Sequence, residues 1–167
     1  MWEGIEFARS GLEADDLHGD IEISLMNIMS MLFDRLSRVY GESRFELKAL
    51  LLREKVLEVV PSNHPSRALY EHNLSVHLRH RFGIDPEKHH EDIDREVFLS
   101  RQAVLRTPKS HPWRPRFSNA LFKTLEMRRR YHPDQSLAES IDAGIDAFEN
   151  GTKPFDRITA ARQVAEA

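Results

Sequence analysis

The chain of 167 residues contains no cysteine. That absence removes disulfides, thiol nucleophiles and cysteine-ligated zinc or iron–sulfur centres from the chemistry open to it, and it fits a reducing, intracellular setting. Charge of one dominant sign is also missing: charged residues make up 31% of the chain, yet the formal net charge is only −3. There is neither a uniformly basic field nor an acidic tail, so nucleic acid is not the expected partner. Long hydrophobic runs are absent as well. Nothing approaches the roughly 18 consecutive apolar residues that read as a membrane span. The opening Met-Trp-Glu-Gly-Ile-Glu-Phe has neither the basic start nor the apolar core of a secretory signal. The expectation is a soluble, cytoplasmic protein with one folding unit and no membrane partner.

What the chain does have is an internal echo. Pro61-x-x-His64-Pro65-x-Arg67 reappears as Pro108-x-x-His111-Pro112-x-Arg114. The offset is 47 residues, from 64 to 111, and it persists from Leu74 to Leu121, Leu78 to Leu125 and Arg81 to Arg128. A fixed period of this size marks a helical repeat, in which each unit buries its apolar face by stacking on a neighbour.

Taken in order, residues 1–19 show no sustained periodicity and read as a partly ordered leader. A single repeat domain is expected over 20–167, with units at about 20–63, 64–110 and 111–151. In the first unit Leu25, Ile28, Leu32 and Leu36 advance by three or four residues, widened by Met26, Met29, Met31 and Phe33. Asp20 is placed to cap this helix. Gly41 is placed for a left-handed helix end and Ser43 to cap the next helix, which carries Leu47, Leu50, Leu51, Val56 and Leu57. The second unit runs from about Pro65 to Phe82, with Tyr70, Leu74, Leu78 and Phe82 inward, then from about Lys88 to Arg106 with Ile93, Val97, Val104 and Leu105 inward. The third runs from about Pro112 to Tyr131 on Phe117, Leu121 and Leu125, then from Ser136 to Glu149 on Leu137, Ile141, Ile145 and Phe148. A last amphipathic stretch, 154–167, is expected to cap the stack.

The pattern His64-Pro65-x-Arg67, Asn73-Leu74-Ser75-x-x-Leu78-x-x-Arg81-Phe82, Asp92-Ile93, Ala103-Val104, Thr107-Pro108 and again His111-Pro112-x-Arg114-Pro115 resembles the long tetratricopeptide-like repeats of fungal and bacterial proteins. Many of these carry a caspase-like CHAT protease domain after the repeats. The resemblance covers about residues 21–167. It implies an all-α, right-handed stack of three helix–turn–helix units with a C-terminal capping helix, working as a protein-interaction scaffold. The family's small glycine after the first-helix leucine is replaced by Ser75, Phe122 and Met29. Without cysteine, no cysteine-protease activity is expected of this chain.

In such stacks the first helix of each pair lines a concave groove. Carried over by position, the groove residues are Asn27, Ser30 and Asp34, then His72, Asn73, Val76, Arg79 and His80, then Asn119, Lys123, Glu126 and Met127. Asparagine serves an extended backbone as donor and acceptor, and Arg or Lys captures a carboxylate. The plainer reading is that these are solvated helix positions. A peptide or partner protein is the expected ligand; no cofactor or metal is expected.

Three other features have their own chemistry. His72, His77, His80, His89 and His90 suggest a metal, but there is no His-x-x-x-His pair. Arg67 and His72 have the Arg-x-x-x-x-His form of the helical HEPN ribonucleases, set against a structural Arg that bonds the inter-repeat turn. Arg128-Arg129-Arg130, preceded on the same unit by Lys109, Arg114 and Arg116, could favour a phosphate or acidic peptide, or could simply complement a helix C-terminus. Trp113 reads as a packing anchor or an exposed interface residue. A small helical enzyme using the His-rich middle unit, and homo-oligomerisation through the Met-rich first helix, are the alternatives to a scaffold.

Overall fold

The three-to-four-residue apolar spacing folds as helix throughout. The computed structural model describes residues 19–132 and 137–150, together with positions 3, 6 and 10. It contains α1 (Gly19–Tyr40), α2 (Ser43–Val59), α3 (Arg67–Ile84), α4 (His90–Leu105), α5 (Arg114–Tyr131) and α6 (Leu137–Glu149). No strand occurs among the described residues, so the chain is all-α there. No described helix is long and apolar enough to cross a membrane. The expected capping helix and most of the leader lie outside the described residues. The chain divides into two compact units, Met1–Tyr70 and Glu71–Ala167.

In the first unit α1 packs on α2. The reversal between them depends on Gly41, whose φ of 69° is open to glycine without a steric penalty, and its N–H donates to Ser37 O at 2.8 Å. Ser43 does not cap α2. It is the first helical residue, and Glu42 before it makes no side-chain cap bond. Met29, Phe33, Leu36, Phe45 and Ala49 form one apolar cluster, and Ile23, Met26, Val56, Val60 and Tyr70 another. The inward face of α1 is therefore rotated from the expected one: Ile28 and Met31 are exposed, as are Leu47 and Leu51 on α2. The reason is that α1 is apolar on two sides, and the side that meets Phe45 and Val56 becomes the core. Arg53 is buried among these residues with Asp34 at 3.5 Å, and burial lowers its pKa.

In the second unit α5 packs on both α4 and α6. Leu74, Leu78, Phe82, Ile93, Val97, Phe117, Leu121 and Leu125 are buried as their spacing predicts. Leu105 and Ile145 are not: Leu105 is 75% exposed in the last turn of α4, and on α6 the small Ala143 and Ala147 take the inner positions. Ser75, Phe122 and Met29 are all buried.

The two His-Pro corners fold alike. In the first, His64 N–H donates to Pro61 O and Arg67 N–H to His64 O, both at 3.0 Å; in the second, His111 donates to Pro108 O and Arg114 to His111 O, both at 2.9 Å. Each imidazole Nδ1 accepts a backbone N–H two residues on, from Ser66 or Trp113, at 3.1 Å. Each arginine then reaches back to the carbonyl seven residues earlier: Arg67 to Val60 O, and Arg114 to Thr107 O. Proline supplies no N–H, so the corner satisfies its carbonyls with a guanidinium. Arg114 goes further, bonding Val104 O at 2.6 Å and Asp146 at 2.7 Å.

Candidate functional site

The interior of the second unit is polar where α3, α4 and α5 meet. On α3, His72 is 4% exposed and its ring lies 4.9 Å from that of Phe117. Its Nε2 accepts a hydrogen bond from Arg116 Nε at 3.2 Å. A neutral imidazole that accepts at one nitrogen carries its proton on the other. That other nitrogen, Nδ1, is buried and bonds to nothing among the described residues. Burial, reinforced by the nearby Arg116 and Arg79, pushes the pKa of His72 down to about 3, so the ring is uncharged at neutral pH.

On α4, Glu96 is fully buried, at 0% exposure. Burial pushes its pKa up to about 8, against the opposing influence of its Thr124 bond and of Arg79. Arg79 Nη1 lies 3.6 Å from Glu96 Oε1, the geometry of an ion pair. Desolvation outweighs that attraction, so near pH 7 the arginine faces a mostly protonated acid. Thr124 Oγ1 lies within hydrogen-bond distance of both Glu96 Oε1 and the carbonyl of Ala120, the latter at 2.9 Å, so its one proton serves one of the two at a time. Arg79 Nη1 also donates to Ala120 O, at 3.2 Å. The other carboxyl oxygen, Oε2, and the hydroxyl of Ser100 one turn on are buried without partners among the described residues.

The cations around this interior are unusual in what they do not meet. Arg81, Arg101, Arg106, Arg114, Arg128 and Arg129 of the same unit face Asp92, Glu139, Glu71, Asp146, Asp94 and Glu126 respectively. The basic run at the end of α5 is thereby largely neutralised in place. Among the described residues Arg79 meets the mostly protonated Glu96 and a carbonyl, and the exposed Arg116 bonds the neutral His72. Lys123 is exposed, and its pKa is lowered by partial burial and by the like charge of Arg79. Arg79, Arg116 and Lys123 thus give α3 and α5 a local excess of positive charge.

Of the groove positions expected from sequence, the structure brings together His72, Arg79, Asn119 and Lys123 in this region. Asn119 is half-buried, with its Oδ1 unpartnered among the described residues. His72 corrects the expectation of a groove surface position, because its ring is enclosed. Asn73, Val76 and Met127 are half-buried, and His80 is exposed. Glu126 is occupied by Arg129 at 2.8 Å. Asn27, Ser30 and Asp34 belong to the first unit. The Asn27 carbonyl accepts from Ser30 at 2.7 Å, and Asp34 pairs with Arg38 at 2.7 Å as well as with Arg53.

Glu96 and Thr124 escaped the sequence reading, whereas Arg116 belonged to the basic cluster expected ahead of Arg128. Glu96 had a signal: it lies three residues after Ile93 and four before Ser100, on the stripe that a helix with Ile93 and Ala103 inward must bury. Arg67 is engaged with its corner carbonyl, as a structural arginine would be. Trp113 is half-exposed and meets His111 and Phe117 edge-on. Among the described residues no three His, Asp or Glu side chains gather as metal ligands. No family model, no curated protein and no solved structure matches the chain.

Proposed function

We propose that the chain is a protein-interaction scaffold, a tetratricopeptide-like right-handed stack, and that the face carrying Arg79, Arg116 and Lys123 receives an acidic segment of a partner protein. The observation that carries this reading is the set of three cations that meet, among the described residues, no carboxylate but the mostly protonated Glu96, in a unit where six other arginines are neutralised. A carboxylate arriving from outside supplies what the chain withholds, and the fork of Arg116 suits it. The duplicated His-Pro corner supports the repeat architecture.

The test is a titration with a fluorescent glutamate-rich peptide and a neutral peptide of equal length. The acidic one binds more tightly, its affinity falls with salt, and Arg116→Glu with Lys123→Glu weakens it by roughly tenfold or more. Equal binding of both peptides, or of wild type and variant, removes the assignment.

Two strongly shifted groups, His72 and Glu96, within one unit also fit a catalytic centre. Their burial favours binding instead: His72, with a pKa near 3, is a feeble base, and Glu96 is sealed from any substrate. Cleavage of RNA by the wild type and not by His72→Ala reinstates the ribonuclease alternative.

A further inference from the structure

The outer side of α1 has a pattern that its own core does not use. Seven and eighteen residues on from Ile21 come Ile28 and Val39, close to two and five turns of a 3.6-residue helix, so the three lie on one line. Met31 and the partly buried Leu32 stand to either side. Ile21, Ile28, Met31 and Val39 are between 48% and 61% exposed. Along Met31's flank of this stripe, Asp20 stands at the N-terminal end and Arg38 eighteen residues later at the other. Both are open to solvent. Asp20 is 83% exposed with His64 at 3.5 Å, and Arg38 is 57% exposed on Asp34.

We propose that α1 is a self-association surface that pairs antiparallel with α1 of a second copy of this chain about a two-fold axis midway along the helix. Such an axis keeps each flank on its own side and reverses the helix direction. Ile21 then meets the partner's Val39, Ile28 meets the partner's Met31, and Asp20 meets the partner's Arg38, each contact occurring twice. A parallel pairing keeps Asp20 and Arg38 at opposite ends of the seam and so forms neither charge contact. The 22 residues of α1 give a seam about 33 Å long. The Met-rich side contributes little, since Met26 and Met29 are in the first unit's own core.

The experiment is sedimentation equilibrium on the full chain, with thermal melting to confirm that each variant folds. Wild type is a concentration-dependent dimer, and Ile28→Glu raises its dissociation constant at least about tenfold while the melt is unchanged. Asp20→Lys alone and Arg38→Glu alone each weaken self-association roughly tenfold, because both contacts become repulsive. Mixing these two variants restores dimers, since every contact in the mixed pair is again between opposite charges. A monomeric wild type overturns the proposal, and so does a mixture no more associated than its components.

Discussion

The two compact units are stabilised in different ways. The first packs Met29, Phe33, Leu36, Phe45 and Ala49 together and admits Ser30 and Arg53 as its buried polar side chains, while the second encloses His72, Ser75, His77, Glu96, Ser100, Ser118 and Thr124 among its apolar residues. Hydrophobic contact is non-directional, so the first unit tolerates apolar residues on both sides of α1 and leaves a stripe outside. Hydrogen bonds are directional. The second unit is specified by which donor meets which acceptor, and it leaves particular groups, His72 Nδ1 and Glu96 Oε2, without one.

Five substitutions break or sharpen this contrast. The largest effect is expected from Leu36→Ala, a fully buried site in the apolar unit, which should cost about 4 kcal/mol in urea unfolding at any pH. A cost below about 1 kcal/mol would mean that the first unit is loosely packed. Glu96→Gln should have no such uniform effect. The folded pKa of Glu96 lies above its unfolded value of 4.5, at about 8, so the folded chain keeps a proton that the unfolded chain releases. The stabilisation from this proton is full below pH 4.5, declines up to pH 8 and is then gone. The variant should match wild type at pH 4 and exceed it by several kcal/mol at pH 9; parallel pH profiles would show Glu96 ionised in the fold.

Third come the corners. Arg114→Ala should cost about 2 kcal/mol, because it orphans the Thr107 carbonyl, takes one of the donors from Val104 O and leaves Asp146 without its guanidinium, and Arg67→Ala less, since its corner bond is to Val60 O. Equal losses would show that the Asp146 contact adds nothing. The smallest effect is Gly41→Ala, about 1 kcal/mol from the left-handed backbone, readable as a small drop in melting temperature.

The sequence disclosed most where chemistry is local. The His-Pro corners were legible because proline, histidine and arginine perform fixed tasks within seven residues. Leu74, Leu78, Leu121 and Leu125 were legible because each sits on a helix with one apolar side. Ile28, Leu47, Leu51, Leu105 and Ile145 misled for the opposite reason: periodicity says that a face is apolar, and only the neighbouring helix decides which face is used. The cationic cluster was half visible. Arg79 and Lys123 follow from helix position, but the neutrality of Glu96 and His72 depends on desolvation by three helices together, which no spacing records.

Each corner closes entirely within its own stretch, 60–67 or 107–114, borrowing nothing essential from distant parts of the chain for its turn. A gene that duplicated the segment between two such joints would hand the new copy a finished elbow. Lengthening or shortening by whole periods is thus mechanically simple for this polypeptide, whereas trimming a few amino acids from inside a joint leaves carbonyl groups that no other side chain is positioned to satisfy.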